Sequence, residues 1–366
     1  MKKRRILIAS LLKPIDDTRM FEKMGVTFSD AGNYEVYIIG YPSKAKPVYP
    51  NIHFFPLNPF DRISFGRLCA PLKVALKIYQ VKPDVLVINT HELLIVAIAN
   101  RIFFGTRILY DIQENYFRNT LYSEAFPRLL RRPLALWIRA KEKITSPLFD
   151  WFVLAEKGYE NEFKFFKNRY TIIENKAMLP AGLKRIAKSG YSHLLFSGTL
   201  AESTGVFEAI LLAVKLHELD SSIRLTIFGY CAKPKLLSKF KSTIASHDFI
   251  TLIGGDQLVP HQEIVKFIST SHFGIICYPH SPHTANSIPT KLYEYLSHQL
   301  PIITQVNPAW EKLMSPCQAG IAIDFKKFNP QALLEEMKVR SFYTQPAENT
   351  TWDSEAKKLL EALKTI

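Results

Sequence analysis

The stretch Asn286-Ser-Ile-Pro-Thr-Lys-Leu-Tyr-Glu-Tyr-Leu-Ser-His-Gln-Leu-Pro-Ile-Ile303 holds one complete passage from loop to helix to strand. Pro289 suits a first helical position, where its fixed φ is pre-set and its missing N–H costs nothing. The spacing predicts a helix over Thr290–His298, and the apolar run Pro301–Gln305 predicts a buried strand after it. Upstream, Phe273–Cys277 is a second short apolar run. Near-continuous apolar strands separated by helices mark a parallel sheet covered on both faces.

The same rhythm extends outward in both directions. In the first half the predicted strands are Arg5–Ala9, Glu35–Gly40, His53–Leu57, Val85–Asn89, Arg107–Asp111, Phe152–Leu154 and Thr171–Ile173. Helical patterns at Thr18–Asp30, Phe65–Gln80, Leu93–Phe103 and Leu129–Ile144 lie between them. A loop-like segment from Asn175 to Tyr191 interrupts the pattern, which restarts with strands His193–Ser197, Arg224–Phe228 and Phe249–Leu252. Helices Val206–Glu218, Gln262–Ser269 and Pro330–Lys338 and strand Gly320–Ile323 complete it. Two such sets predict an α/β chain of two Rossmann-like domains, 1–174 and 175–349, facing across a cleft. The length of 366 residues fits two domains at roughly 150 residues each.

Composition sets the limits on function. The chain is 47% hydrophobic and 22% charged, which is globular, and 47 basic against 33 acidic residues give a net charge of +14. Such a balance favours anionic partners. The four cysteines (Cys69, Cys231, Cys277 and Cys317) are too scattered for a disulfide scaffold or a zinc site, and a reducing, cytoplasmic setting is expected. Met1-Lys-Lys-Arg-Arg followed by Ile6–Leu12 imitates an export signal, but Lys13-Pro14 stands where a cleavage site would be. The run Leu93–Ala99 is far shorter than the ~20 residues a membrane span needs. There is no G-x-G-x-x-G after the first strand, no P-loop, no G-x-S-x-G, no H-E-x-x-H and no D-x-D.

Around Pro289 the chemistry points to a diphosphate. The backbone amides of Asn286, Ser287, Ile288 and Thr290 lie near the positive end of a helix. Lys291 occupies the first turn. Glu294, three residues on, shares its face and suits a ribose diol. The same residues also fit an ordinary surface helix with a lysine–glutamate pair.

Pro289-Thr-Lys-Leu-Tyr-Glu-Tyr-Leu with Leu300-Pro-Ile-Ile resembles the donor-site helix of the family 4 glycosyltransferases of the bacterial surface-polysaccharide type, which have the two-domain GT-B fold. Phe196-Ser-Gly-Thr-Leu-Ala-Glu-Ser-Thr-Gly205 resembles the segment opening that family's second domain. Pro14-Ile-Asp-Asp-Thr-Arg19 and Tyr110-Asp-Ile-Gln-Glu-Asn-Tyr116 resemble two segments of one branch. Trp352…Leu363 is similar to the closing helix that crosses back to the first domain, here 350–366. The resemblance implies a retaining transfer of sugar from a nucleotide-diphosphate sugar, without metal or other cofactor, to a glycan or lipid-linked acceptor. It places the donor near Gly198, Thr199, Thr204 and the Asn286–Glu294 segment. It places the acceptor near Asp111, Gln113 and Glu114. The chain departs from the family where Thr199 and Thr204 replace a phosphate-binding arginine and lysine. It departs again at Asn286, where the first glutamate of a Glu-x7-Glu pattern would stand, and at Gln113, which replaces a histidine. Those losses keep two rivals open: a nucleotide-sugar epimerase on the same architecture, and a catalytically silent binding subunit.

Some residues stand outside the resemblance. His91 follows the fourth predicted strand and is a candidate cleft residue. Gly229 reads as a turn glycine that lets a base approach. His280 and His283 have metal-like spacing but no carboxylate partners. The segment Phe126–Leu148 carries Arg128, Arg131, Arg132, Arg139, Lys141 and Lys143 against Glu142 alone. Leu130, Leu134, Trp137, Ile138 and Ile144 recur at helical spacing within it. It reads either as a core stripe with a solvated basic face or as a dock on an anionic membrane through Arg128–Lys143. No nucleic-acid-binding pattern is present.

Overall fold

The computed structural model describes residues 3–43, 47–60, 64–122, 126–179, 190–279 and 287–366. His280, His283 and Asn286 lie outside them. The chain divides into two units, Met1–Asn175 with Trp352–Ile366, and Lys176–Thr351.

The first unit is built on β1 (Arg4–Pro14), β2 (Tyr34–Tyr41), β3 (Ile52–Pro56), β4 (Val85–Ile88), β5 (Arg107–Ile112), β6 (Trp151–Leu154) and β7 (Tyr170–Ile172). They form one sheet in the order β3-β2-β1-β4-β5-β6-β7, every pair parallel. Ile6 of β1 stands beside Val36 of β2 on one side and Val85 of β4 on the other. The chain order therefore reverses at β1, and the loops after β1 and β4 open the crevice where such sheets bind ligands. Both faces of the sheet are buried, with Leu7, Leu86 and Ile108 in one core and Ile6, Val85 and Leu109 in the other. This is why the strands read as unbroken apolar runs. The closing helix Trp352–Lys364 packs on the second core through Leu359 and Leu363, and Trp352 Nε1 donates to Thr27 Oγ1 at 2.9 Å.

The second unit repeats the plan with β8 (His193–Ser197), β9 (Arg224–Tyr230), β10 (Ile250–Gly255), β11 (Phe273–Ile276), β12 (Ile302–Gln305) and β13 (Gly320–Ile323). The order is β10-β9-β8-β11-β12-β13, again all parallel, so the reversal falls at β8. This is the two-unit α/β architecture of the GT-B fold.

Three local details differ from the sequence reading. The predicted helix over Thr18–Asp30 is a wide helical turn at Thr18–Gly25 followed by α-helix at Val26–Asp30. Asp17 caps this turn by accepting from the amides of Arg19 and Met20, and the turn buries both Arg19 and Lys23. Pro289 is the cap and not the first helical residue: its ψ of 136° is extended, and the helix runs Thr290–Ser297. Gly229 lies inside β9 and not in a turn. A Cβ there would stand 1.8 Å from the Gly198 carbonyl oxygen, so its bare backbone accommodates the neighbouring strand end.

Candidate functional site

In the second unit the reversal at β8 brings together two chain segments almost a hundred residues apart in sequence. Gly198 directly follows β8 with φ +118°, and Lys291 reaches over it from the first turn of the helix that follows β11. A Cβ on Gly198 would lie 2.0 Å from Lys291 Nζ. The ammonium stands 5.1 Å from the centre of the Phe196 ring and 5.9 Å from that of Tyr278. Among the described residues it has no salt bridge. Burial lowers its pKa from 10.5 to about 8, against the opposing influence of Cys277 and Glu294. A cation stripped of water, facing aromatic rings and a helix start, needs an anion to complete its environment.

Glu294, one turn along the same helix, is 12% exposed and is held at Oε1 by Nε2 of His261. His261 opens the helix His261–Thr270, and sequence reasoning passed over it because the two residues are 33 apart. The helix carrying Lys291 is locked from below, where Tyr295 Oη and Ser197 Oγ share a buried hydrogen bond of 2.9 Å. Trp310 Nε1 donates to the Ser287 carbonyl at 2.8 Å and fixes the approach to the helix. Ser287, Ile288, Pro289, Thr290, Lys291 and Glu294 therefore form one structured segment, with Gly198 facing it. Thr199 and Thr204 lie in the loop after Gly198. The Thr204 hydroxyl stands 2.8 Å from the carbonyls of both Thr199 and Ala201, so it ties its own loop together.

The acceptor-side candidates of the first unit separate into two sets. Asp111 is buried at the end of β5 and receives a two-pronged contact from Arg19, with Nη2 to Oδ1 at 2.7 Å and Nε to Oδ2 at 3.0 Å. Gln113 Nε2 donates to Asp111 Oδ2 at 2.7 Å. Asp111 is thus committed to a buried pair with Arg19, and the half-buried Gln113 bonds the same carboxylate. His91 and Glu114 instead line a cavity of about 670 Å³ together with Arg67, Glu92, Tyr116 and Lys141. Lys141 Nζ donates to His91 Nδ1 at 3.0 Å, which leaves the hydrogen of the neutral ring on Nε2. Burial holds the His91 pKa down at about 4, so the ring stays neutral at physiological pH. Glu92 is neutralised by Arg67, and Glu114 pairs with Lys13 at 3.5 Å. Sequence reasoning singled out His91 and Glu114 but not the partners that surround them, Arg67, Glu92 and Lys141, nor the Arg19 that meets Asp111. Arg19 was quoted only as part of a motif.

Among the described residues no cluster of His, Cys, Asp or Glu is arranged to hold a metal ion, and no helix is long and apolar enough to cross a membrane. No protein-family model matches the sequence, and no curated protein does. Solved structures do match. A sucrose-phosphate synthase from Thermosynechococcus elongatus is 12% identical with a TM-score of 0.71, the match covering 99% of this chain and 98% of that one. Anabaena HepE in complex with UDP and glucose is 10% identical with a TM-score of 0.66, covering 99% and 100%. A protein assigned as a UDP-N-acetylglucosamine 2-epimerase from Listeria monocytogenes is 13% identical with a TM-score of 0.61, covering 99% and 96%. At these identities the likeness establishes the fold: the chain has the GT-B architecture that these sugar-nucleotide proteins share.

Proposed function

We propose that the protein is a glycosyltransferase that moves a sugar from a nucleotide-diphosphate donor to a glycan or lipid-linked acceptor. The observation that carries this reading is the Lys291 ammonium, enclosed over Gly198 at a helix start with no salt bridge among the described residues. A diphosphate would supply the missing charge, with the amides of Ser287–Thr290 beside it. Glu294, steadied by His261, would take the ribose diol. Charge neutralisation by Lys291 and the helix end gives a route without a metal ion. The resemblance to the family 4 glycosyltransferases implies retention, and in such a transfer the departing phosphate oxygen would receive the acceptor's proton, so that Gln113, whose amide takes up no proton, need not act as a base. His91 would orient the acceptor, while Asp111 and Gln113 would hold the loop that carries Glu114. Docking on an anionic membrane through Arg128–Lys143 belongs to the same reading.

Two substitutions test the donor site. Glu294→Ala should raise the dissociation constant of the bound nucleoside diphosphate at least tenfold, because a charged hydrogen bond is worth about 1.5–3 kcal/mol. Gly198→Ala should do the same, by pushing the ammonium aside and by forcing a Cβ onto a backbone held at φ +118°. Unaltered affinity in calorimetry on either variant would remove that residue from the site. The Listeria likeness favours a second reading, an epimerase, and one assay separates them. A transferase releases nucleoside diphosphate only when acceptor is present and lengthens that acceptor. An epimerase isomerises the sugar nucleotide with no acceptor added.

A further inference from the structure

The helix Phe65–Val81 is apolar on two sides. Its inner side buries Ala70, Val74, Ile78 and Val81, while Phe65, Leu68, Leu72, Leu76 and Tyr79 form an outer stripe that is 57–78% exposed. With about 3.6 residues per turn, these five lie within roughly 40° of one line down the helix. Phe104, from the helix Leu94–Phe104, continues the patch with its ring 5.8 Å from that of Tyr79, and Ile102 and Phe103 are exposed beside it. Together they expose on the order of 1,000 Å² of side chain, against the ~800 Å² that each partner of a standard interface buries.

The stripe has an internal symmetry. Its spacings run three, four, four and three residues, so it reads the same in both directions about Leu72. Its chemistry does too: aromatic, leucine, leucine, leucine, aromatic. The flanking residues Cys69 and Ala75 are small, half-buried and equally far from Leu72. A helix face that is palindromic matches a copy of itself run antiparallel, the arrangement a two-fold axis imposes. Charge agrees with this. Neither Phe65–Val81 nor Leu94–Phe104 contains an acid. Arg67 turns to Glu92, Lys77 to Gln80 and the Phe55 ring, and Arg101 to Asp150, so the stripe itself carries no charge. A second copy therefore meets it without like-charge repulsion. A bilayer would match the apolar area but gives no reason for symmetry about one residue.

We propose that this face pairs with a second copy of the chain, the two Phe65–Val81 helices packing antiparallel about a two-fold axis at Leu72. Leu72 then meets Leu72 of the partner subunit, Leu68 meets the partner's Leu76, and Phe65 meets the partner's Tyr79. Packed helix axes stand about 8–10 Å apart and Cα atoms about 2.3 Å from each axis, which sets the two Leu72 Cα atoms about 5 Å apart. Phe65 and Leu68 also line the cavity of about 670 Å³ that holds His91, so the partner's Tyr79 and Leu76 extend its apolar wall. The pairing goes beyond the transferase reading and stands whether or not a nucleotide binds.

Analytical ultracentrifugation and cross-linking on the full chain test this. Wild type should sediment as a dimer at micromolar concentration. Leu72→Asp, which sets two carboxylates face to face at an exposed position, should leave only monomer with an unchanged circular dichroism spectrum. Leu72→Cys under mild oxidation should form a disulfide-linked dimer, since a Cα separation of about 5 Å is one a disulfide spans. Leu68→Cys, also exposed, should cross-link at least tenfold more slowly, because its own copy lies about two helical turns away across the axis. The cross-linking pair reads the register even if the aspartate variant fails to fold. A wild-type chain that stays monomeric, a dimer that survives Leu72→Asp, or equal cross-linking at Leu68 and Leu72 would overturn the proposal. A monomer that floats with lipid vesicles and loses that property on Leu72→Asp would overturn it too, assigning the stripe to a membrane.

Discussion

Arg19→Ala should lower the melting temperature of the protein by on the order of 10 °C. Arg19 and Asp111 are both almost wholly buried, and their two-pronged pair joins the wide turn after β1 to the end of β5. Removing one member leaves the other charge in a low-dielectric interior with only Gln113 to bond it, which costs about 3–5 kcal/mol. For a unit of this size each kcal/mol moves the melting point by about 2–4 °C. The double variant Arg19→Met with Asp111→Leu should recover most of the loss, because the cost lies in the orphaned charge and less in the absence of attraction. Differential scanning calorimetry on the single and double variants checks this. Equal melting points for the single variant and wild type would mean that the pair is not buried in solution.

Lys291→Met should have effects of opposite sign on stability and on binding. The fall in the Lys291 pKa from 10.5 to about 8 corresponds to on the order of 3 kcal/mol of unfavourable desolvation in the free protein. Methionine keeps the bulk and drops the charge, so the free variant should melt higher than wild type near neutral pH. Its nucleoside-diphosphate affinity should fall by ten- to a hundredfold with the loss of the charged contact. The pH dependence follows. The unfolded chain holds this proton to about pH 10.5 and the folded chain only to about 8, so wild-type stability should rise with pH across that interval. A bound diphosphate raises the pKa again, so binding takes up a proton and affinity should weaken by as much as tenfold per pH unit above 8. The methionine variant should show neither slope.

All thirteen strands among the described residues, to within a residue or two except the longer β1, β9 and β10, could be read from the sequence because both faces of each sheet are buried, leaving short apolar runs. The helix Pro234–Ile244 escaped notice because only Leu237 and Phe240 of it are buried and lysines fill much of the rest. In the helix Phe65–Val81 periodicity identified a helix but could not say which apolar side faces inward, since both are apolar. The Arg128–Thr145 stripe shows the same ambiguity: Ile138 is buried, whereas Leu130, Trp137 and Ile144 are exposed.

For the candidate site, what could be read was local. Lys291 and Glu294 share one helix face and stand three residues apart, so spacing alone paired them. The groups that position the site come from far along the chain: His261 lies 33 residues from Glu294, Lys141 lies 50 from His91, and Arg19 lies 92 from Asp111. Sheet order, not sequence spacing, brings these together, and a lone lysine or arginine carries no signal of the partner it will meet. For the same reason Asp111 and Gln113 looked like acceptor contacts from their place after a strand. The wide turn after β1 delivers a guanidinium onto Asp111, and Gln113 donates to the same carboxylate.

The most direct test of the donor site is a calorimetric titration of wild type, Lys291→Met and Glu294→Ala with UDP, ADP, GDP and dTDP at pH 7.5. At least one nucleotide should bind wild type with one-to-one stoichiometry, and both variants should bind that same nucleotide at least tenfold more weakly while remaining folded. Binding of no nucleotide to wild type, or binding that neither substitution weakens, would contradict the assignment of this helix end as a nucleotide-sugar site.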